Sequence, residues 1–398
     1  MTNPKLALIP SGYKGGTNPT VYSILPSDGS GDFTFDRANG YASRVREDGL
    51  IEEVSNDTPR LDYLDGGCPS LLLEPSRTNL ITYSENFSQW NLLSGGTGVN
   101  PVVTSDSTIS PDGTQNADKI VFNSGSGTTS GDSSQINNIV SVTSGTDATA
   151  SIYLKGENGG EELVFRGVAD GSYQKITLTT EWQRFSTTEN SGTTTDPITF
   201  GIRQNVSGLG VINSSATIYA WGGQVEVGSY ATSYIKSNSG STTTRLKDEC
   251  INAGDNDLFD ITEGTFFVDA NNFGTPYLDF SMITLSDGSS NFVRFIYESS
   301  RIRTSVENGS IQQDYFITGV NDNERNKVAI TFKENEFKVY HNGVLKDTDP
   351  SGVVPTNLDR LNFANQSGTS RHFEGKVYDT RVYDRVLTEA EAIELTTL

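Results

Sequence analysis

Short apolar stretches, many alternating with polar residues, are cut by Gly-, Asn- and Asp-rich turns through most of the 398-residue chain. Thr149 to Lys155 (TASIYLK) alternates as a half-buried strand does. Phe266 and Val268 in GTFFVD share one strand face, and Phe292 to Tyr297 reads as a further strand. Near the start, Lys5 to Ile9 and Val21 to Leu25 predict two short strands. Apolar pieces then follow at Phe33, Phe35, Leu50, Ile51 and Val54, between turns at Asn39-Gly40, Asp48-Gly49 and Asp65-Gly66-Gly67. The run Leu71-Leu72-Leu73, closed by Pro75, ends this stretch. Lys327 to Leu345 predicts a hairpin. Strand Val328 to Phe332 turns at Glu334-Asn335, and strand Phe337 to His341 turns at Asn342-Gly343, where Asn-Gly favours a type I′ turn. A helix is predicted after the last strand, with Thr388 as N-cap and Glu391 completing a capping box.

Composition supports the same picture. Gly is abundant at 40, Met scarce at 2, and Tyr (16) and Phe (19) supply much of the apolar surface. The hydrophobic fraction of 34% is low, yet sufficient for sandwiches whose strands bury alternate residues. The expected fold is all-β: an N-terminal extended segment (residues 1–80) followed by two tandem β-sandwiches, at 81–244 and 258–398. Residues 238–256 are polar and turn-rich, with Arg245 to Cys250 as a connector. The N-terminal segment holds too little apolar material for a core of its own. It is expected to fold against a neighbouring domain or subunit as an anchoring or collar region, or else to cap the first sandwich.

Particular wording adds a resemblance. TFDRANGYASRVREDGLIEEV followed by PRLDYLDGGCPSLLLEPSRTNL resembles a segment that recurs in bacteriophage virion proteins, ahead of lectin-like sandwiches. TASIYLK, KITLTTEWQRFS and, most specifically, AWGGQVEVGSYATSYI resemble the galactose-binding-like jelly rolls of carbohydrate-binding modules in phage tail proteins. KVAITFKENEFKVYHNGVL and GKVYDTRVYDRVLTEAEAIEL resemble the laminin-G and pentraxin-like branch of the concanavalin A-like sandwiches. The resemblance implies a virion structural protein, displayed as a fibre, spike or decoration and adhering to host-surface glycans. It also implies a homo-oligomer, most simply a trimer, with other virion proteins contacted through the N-terminal segment. No coiled-coil heptad or triple-helix repeat is present to trimerise the chain by itself.

The net charge of −21 removes any electrostatic reason to bind nucleic acid or anionic lipid. No secretory signal peptide and no apolar stretch of about 18 residues appears, so the expectation is synthesis in a host cytoplasm and display on a virion surface without membrane insertion. Cys68 and Cys250 have no CxxC spacing; they either pair with each other or stay as indifferent thiols. Ca²⁺ takes oxygen ligands, but no DxDxDG-type loop occurs, and no metal or other cofactor is expected.

Catalysis is not expected either. Glycoside hydrolysis needs two carboxylates ~5.5 Å or ~6.5–9.5 Å apart across the scissile bond. In the hydrolase branch of the concanavalin-like fold an ExDxxE-type strand supplies them, and residues 258–398 contain none. Glu334 and Glu336 fall at a hairpin turn. The two histidines, His341 and His372, read as surface or turn residues, with no triad partner beside them. Sugar binding needs an aromatic face plus amide, carboxylate or guanidinium groups for the hydroxyls. Trp182 and Trp221 read as packing residues. Trp90, between Gln89 and Asn91, is the tryptophan best placed for partial exposure. Tyr173, Gln174 and Arg166 are the further candidates for a binding face. The competing readings are a structural capsid or tail component without a glycan site, a polysaccharide depolymerase, and a secreted adhesin.

Overall fold

A computed structural model describes residues 3–12, 20–38, 41–168, 173–192, 195–210, 212–273 and 280–398. The Asn39-Gly40 turn lies outside them. Among the described residues the fold is all-β, with two sandwiches and two short helices as its main elements.

The middle sandwich packs one five-stranded sheet on another. The first sheet runs Val99–Thr108, Ala117–Asn123, Ser215–Val227, Asp147–Gly156, Gln183–Asn190. The second runs Gln174–Thr177, Glu162–Arg166, Asp196–Arg203, Ser133–Val140, Asn91–Gly95. All neighbours are antiparallel, so alternate side chains point inward. Ile120, Phe122, Ile152, Leu154, Phe165 and Phe200 meet between the sheets.

The C-terminal sandwich is not built from the C-terminal residues alone. Its larger sheet runs Val344–Asp349, Glu336–His341, Asn326–Lys333, Gly264–Asn272, Gly375–Tyr383, Ser70–Leu73, Arg60–Asp62. Leu6–Leu8 pairs with the other half of the same Gly375–Tyr383 edge, Leu6 opposite Val382, while Leu71 lies opposite Val377. The facing sheet runs Ile311–Thr318, Arg301–Asn308, Asn291–Glu298, Ser281–Ser286, Arg360–Asn362. A small sheet, Thr20–Val21, Phe33–Asp36, Glu249–Ile251, closes one end. Leu6, Leu8, Phe33, Phe35, Leu71 and Leu73 therefore share one core with Phe266, Ile330 and Phe337.

The boundaries 1–80, 81–244 and 258–398 follow chain order, whereas hydrogen bonding does not. The segment expected to dock on a neighbour as an anchor, or to cap the first sandwich, supplies three strands to the large sheet of the last sandwich. The middle sandwich is inserted between these two halves. Its entry and exit form a two-stranded stem, Arg77–Asn79 against Thr243–Arg245. The physical reason is that the Gly375–Tyr383 strand would otherwise carry an unpaired edge over an open core.

Local signals behave as the sequence predicts. Asn342 and Gly343 both have positive φ, +46° and +77°, as a type I′ turn requires. Helix Glu389–Thr396 begins with the capping box: Thr388 Oγ1 accepts from Glu391 N–H, and Glu391 accepts from Thr388 N–H at 2.9 Å. Its Ala392 and Leu395 cover Phe267, Tyr340 and Tyr383 on the outside of the large sheet. Thr388→Ala is expected to cost about 1 kcal/mol, read as a small fall in the thermal midpoint. Cys68 is exposed and Cys250 buried, and both are free thiols.

A cluster of buried charges ties the insert to the sandwich. Arg37 donates to Asp248 at 2.9 Å; Arg60 bonds both Asp248 and Glu74; Arg245 pairs with Glu74 at 2.9 Å. Ser233, just beyond the insert's last long strand, donates its N–H and hydroxyl to Glu74 at 2.7 Å each. Burial alone pushes the Glu74 carboxyl up, but Arg245, Arg60 and Ser233 outweigh it and hold the group well below the usual carboxylate range.

Candidate functional site

The outer face of the sheet containing Glu162–Arg166 gathers groups suited to a polyhydroxylated ligand. On that strand Phe165 lies opposite the core residue Phe200, so Arg166, the next residue, falls on the other face; Val164 is itself fully buried. The register carries the outward row across four strands: Arg166 opposite Thr199, Thr199 opposite Asn137, Asn137 opposite Asn91. Asn91 donates its amide to Asn137 Oδ1 at 2.9 Å.

Tyr173 sits immediately before the edge strand Gln174–Thr177. Two guanidiniums stand over its ring, Arg166 5.0 Å and Arg203 5.4 Å from the centroid. Its hydroxyl accepts from Gln135 Nε2 and Arg203 Nη1, both at 3.3 Å. The ring is thus fixed at both the face and the tip. Arg203 is held in turn by the Ser130 carbonyl, 3.0 Å from its Nε. The Ser130 loop is pinned by Asp132, whose carboxylate accepts N–H and hydroxyl bonds from Thr129 and Thr97 at 2.7–2.9 Å. Those bonds, Thr129 foremost, hold Asp132 well below the ordinary carboxylate range, so it stays ionised.

Among the described residues no carboxylate pairs with Arg166 or Arg203, although carboxylates outnumber cations 50 to 29. The Nε of Arg166 is buried without a hydrogen-bond partner, as is Thr199 Oγ1 beside it. The Tyr173 ring, the two guanidiniums and the amides of Asn137 and Asn91 share one face, with Gln135 and Thr199 buried beneath it.

The sequence candidates separate cleanly on this frame. Tyr173 and Arg166 stand together on the face. Gln174 lies one residue out of phase: it points to the gap between the sheets and donates to Thr187 Oγ1 at 3.2 Å. Trp90 is not a binding residue. It is 4% exposed, packs against Phe87 and Phe200 with centroids 4.8 and 6.0 Å away, and donates its indole N–H to the Tyr83 carbonyl at 2.9 Å. No ring face remains for a sugar. Arg203 and Gln135 were missed by sequence reasoning, because only the strand register brings them to Tyr173.

The histidines lie elsewhere. His341 Nε2 contacts Asn326 Oδ1 at 2.9 Å, and burial lowers its pKa to about 4. Burial also lowers that of His372, 3.7 Å from Glu249. Among the described residues no group of three or more His, Cys, Asp or Glu side chains is placed to hold a metal ion.

Comparison with known proteins bears on the other sandwich. Residues 265–392 match the family model of the concanavalin A-like lectin/glucanases superfamily. This concanavalin A-like domain is the stretch that pairs with the N-terminal strands. No curated protein matches the chain in sequence. Among solved structures, the chain is similar to the carbohydrate-binding module (CBM40) of Ruminococcus gnavus IT-sialidase bound to α2,3-sialyllactose, at 14% identity and a TM-score of 0.30, covering 35% of this chain and 84% of that one. It is similar to domain 4 of AbnA, an arabinanase of Geobacillus stearothermophilus, at 13% identity and a TM-score of 0.32, covering 38% and 73%. It is also similar to the binding domain of botulinum neurotoxin serotype D, at 12% identity and a TM-score of 0.31, covering 37% and 40%.

Proposed function

We propose that this chain is a bacteriophage virion structural protein that adheres to host-surface glycans through the Tyr173 face of its inserted jelly roll. The observation that carries the adhesive part is the grouping of Tyr173 with Arg166 and Arg203, with Gln135, Asn137 and Asn91 across the same sheet. Side chains held this way have little ordering entropy left to lose, and the amides and guanidiniums match ring hydroxyls. The virion part is supported by the wording of residues 34–80, which resembles segments of phage particle proteins. Display of several copies, most simply as a trimer, makes weak sites effective together. The chain acts by binding, without cutting its ligand.

The test is binding of the full-length protein to host cells and to a glycan array. Wild type is expected to bind a defined glycan, and Tyr173→Ala to weaken that binding roughly tenfold or more. Gln174→Ala is expected to leave it unchanged. An intact Tyr173→Ala protein that binds as wild type does would remove the face from the account. Release of new reducing ends from the bound glycan would replace adhesion with depolymerisation.

A further inference from the structure

We propose that the cleft where the N-terminal segment meets both sandwiches is a second ligand site, taking a carboxylated sugar unit with its ring on Trp182 and its carboxylate on Arg184. The cleft holds about 560 Å³, within the usual range for a small-ligand site. Val45 comes from the N-terminal segment, Tyr153, Trp182 and Arg184 from the jelly roll, and Lys376 from the large sheet of the concanavalin A-like domain. It is a feature of the assembled chain, because no one part supplies all its walls.

The aromatic side is rigid. Trp182 donates its indole N–H to the Ile109 carbonyl at 3.1 Å, and Lys155 Nζ stands 5.3 Å from the ring centroid. Tyr153 is braced edge-on by Trp221 at 5.5 Å. Arg184 lies over the Tyr153 ring at 5.4 Å and donates through Nη2 to Ser151 Oγ at 3.0 Å. Its Nε is buried and has no hydrogen-bond partner. Among the described residues no carboxylate pairs with it. Lys376 differs: Asp62 at 3.3 Å and Asp65 at 2.8 Å already neutralise it.

Glu74 also lines the cleft, but its charge is met by Arg60 and Arg245 behind it. A planar guanidinium that no described carboxylate neutralises suits a carboxylate. The half-exposed Asp65 at the rim offers an acceptor for ring hydroxyls. A carboxylated pyranose has that combination of flat apolar face, anionic group and hydroxyl edge.

The site is independent of the Tyr173 face, since Arg184 belongs to the opposite sheet of the jelly roll and Trp182 immediately precedes the same strand. Intrinsic fluorescence reads it directly. Trp90 is 4% exposed in the jelly-roll core, so a ligand-induced change reports Trp182 or Trp221, which packs on the cleft residues Tyr153 and Tyr234, and the Trp182→Phe variant separates the two. The full-length protein is titrated with trigalacturonate at millimolar concentration, and with its methyl ester as the neutral control. A saturable change with the acid is expected, with at least about a tenfold weaker response to the ester and in Arg184→Met. The response should be absent in Trp182→Phe and retained in Tyr173→Ala. No saturable change in wild type, an equal response to the ester, or full retention in Arg184→Met would each overturn the proposal. Loss in Tyr173→Ala would overturn it too, by assigning the signal to the sheet face.

Discussion

Residues 258–398 expressed alone are expected to be unfolded, although they contain the whole stretch that matches the concanavalin A-like superfamily. Without the N-terminal segment, strand Gly375–Tyr383 loses both partners on one side, Leu6–Leu8 and Ser70–Leu73. The core also loses Leu6, Leu8, Phe33, Phe35, Leu71 and Leu73. Phe33 stacks on Phe363 with centroids 5.0 Å apart, so its removal opens the middle of the interior. At about 1.5–3 kcal/mol per buried Leu or Phe, the loss is on the order of 10 kcal/mol. A domain's whole stability is about 5–15 kcal/mol. Circular dichroism and amide NMR dispersion measure the outcome directly. The fold should return when residues 1–79 are joined to 243–398 through an Asn-Gly turn, because Asn79 and Thr243 are already paired neighbours in the stem. A dispersed, cooperatively melting spectrum from 258–398 alone would refute this account of the topology.

The same topology marks the limit of what the chain's wording conveys. Features set by a few consecutive residues are legible: the positive φ at Asn342-Gly343 and the Thr388–Glu391 box each depend on local chemistry. Alternation is legible too, and it places Tyr173 and Arg166 on an outward face. The partner of a strand is another matter. Nothing in Leu71-Leu72-Leu73 names Val377, three hundred positions away, because register is fixed by which open edge remains when the rest has folded. Trp90 shows a second limit. Its polar neighbours Gln89 and Asn91 lie at the surface because the chain passes there through a 3₁₀ turn, Phe87–Gln89, capped at Trp90. Polar flanks therefore record the backbone's position while the indole points the other way, onto Phe87 and Phe200. Gln174 shows a third limit, since a strand's phase is uncertain by one residue until the turn before it is placed, and one residue changes the face.

Asp248→Asn is expected to lower stability by about 3–5 kcal/mol, the range seen when one member of a buried charge network is removed. Asp248 accepts from Arg37, from Arg60 and from the Glu74 backbone N–H at 2.9 Å. An amide in its place leaves Arg37 without a carboxylate and Arg60 with Glu74 alone, and turns a donor toward at least one of them. For a unit of this size the midpoint should fall by roughly 6–20 °C. The network joins Arg37, Arg60 and Glu74 of the N-terminal segment to Ser233 of the insert and to Arg245 and Asp248 at and beyond its exit. Wild type should therefore melt in one transition, and the variant in two as the inserted jelly roll uncouples. Acid should act through Glu74 in the same direction. Its folded pKa lies below the unfolded value, so the unfolded chain binds the proton more readily. The stability it contributes is complete above about pH 4.5 and is lost as pH falls further. Glu74→Gln should accordingly be less stable than wild type at pH 7, with the gap narrowing toward pH 3. Calorimetry across that range decides it. An Asp248→Asn midpoint within a degree of wild type, or a Glu74→Gln gap that widens in acid, would show that the buried cluster does not hold the two sandwiches together.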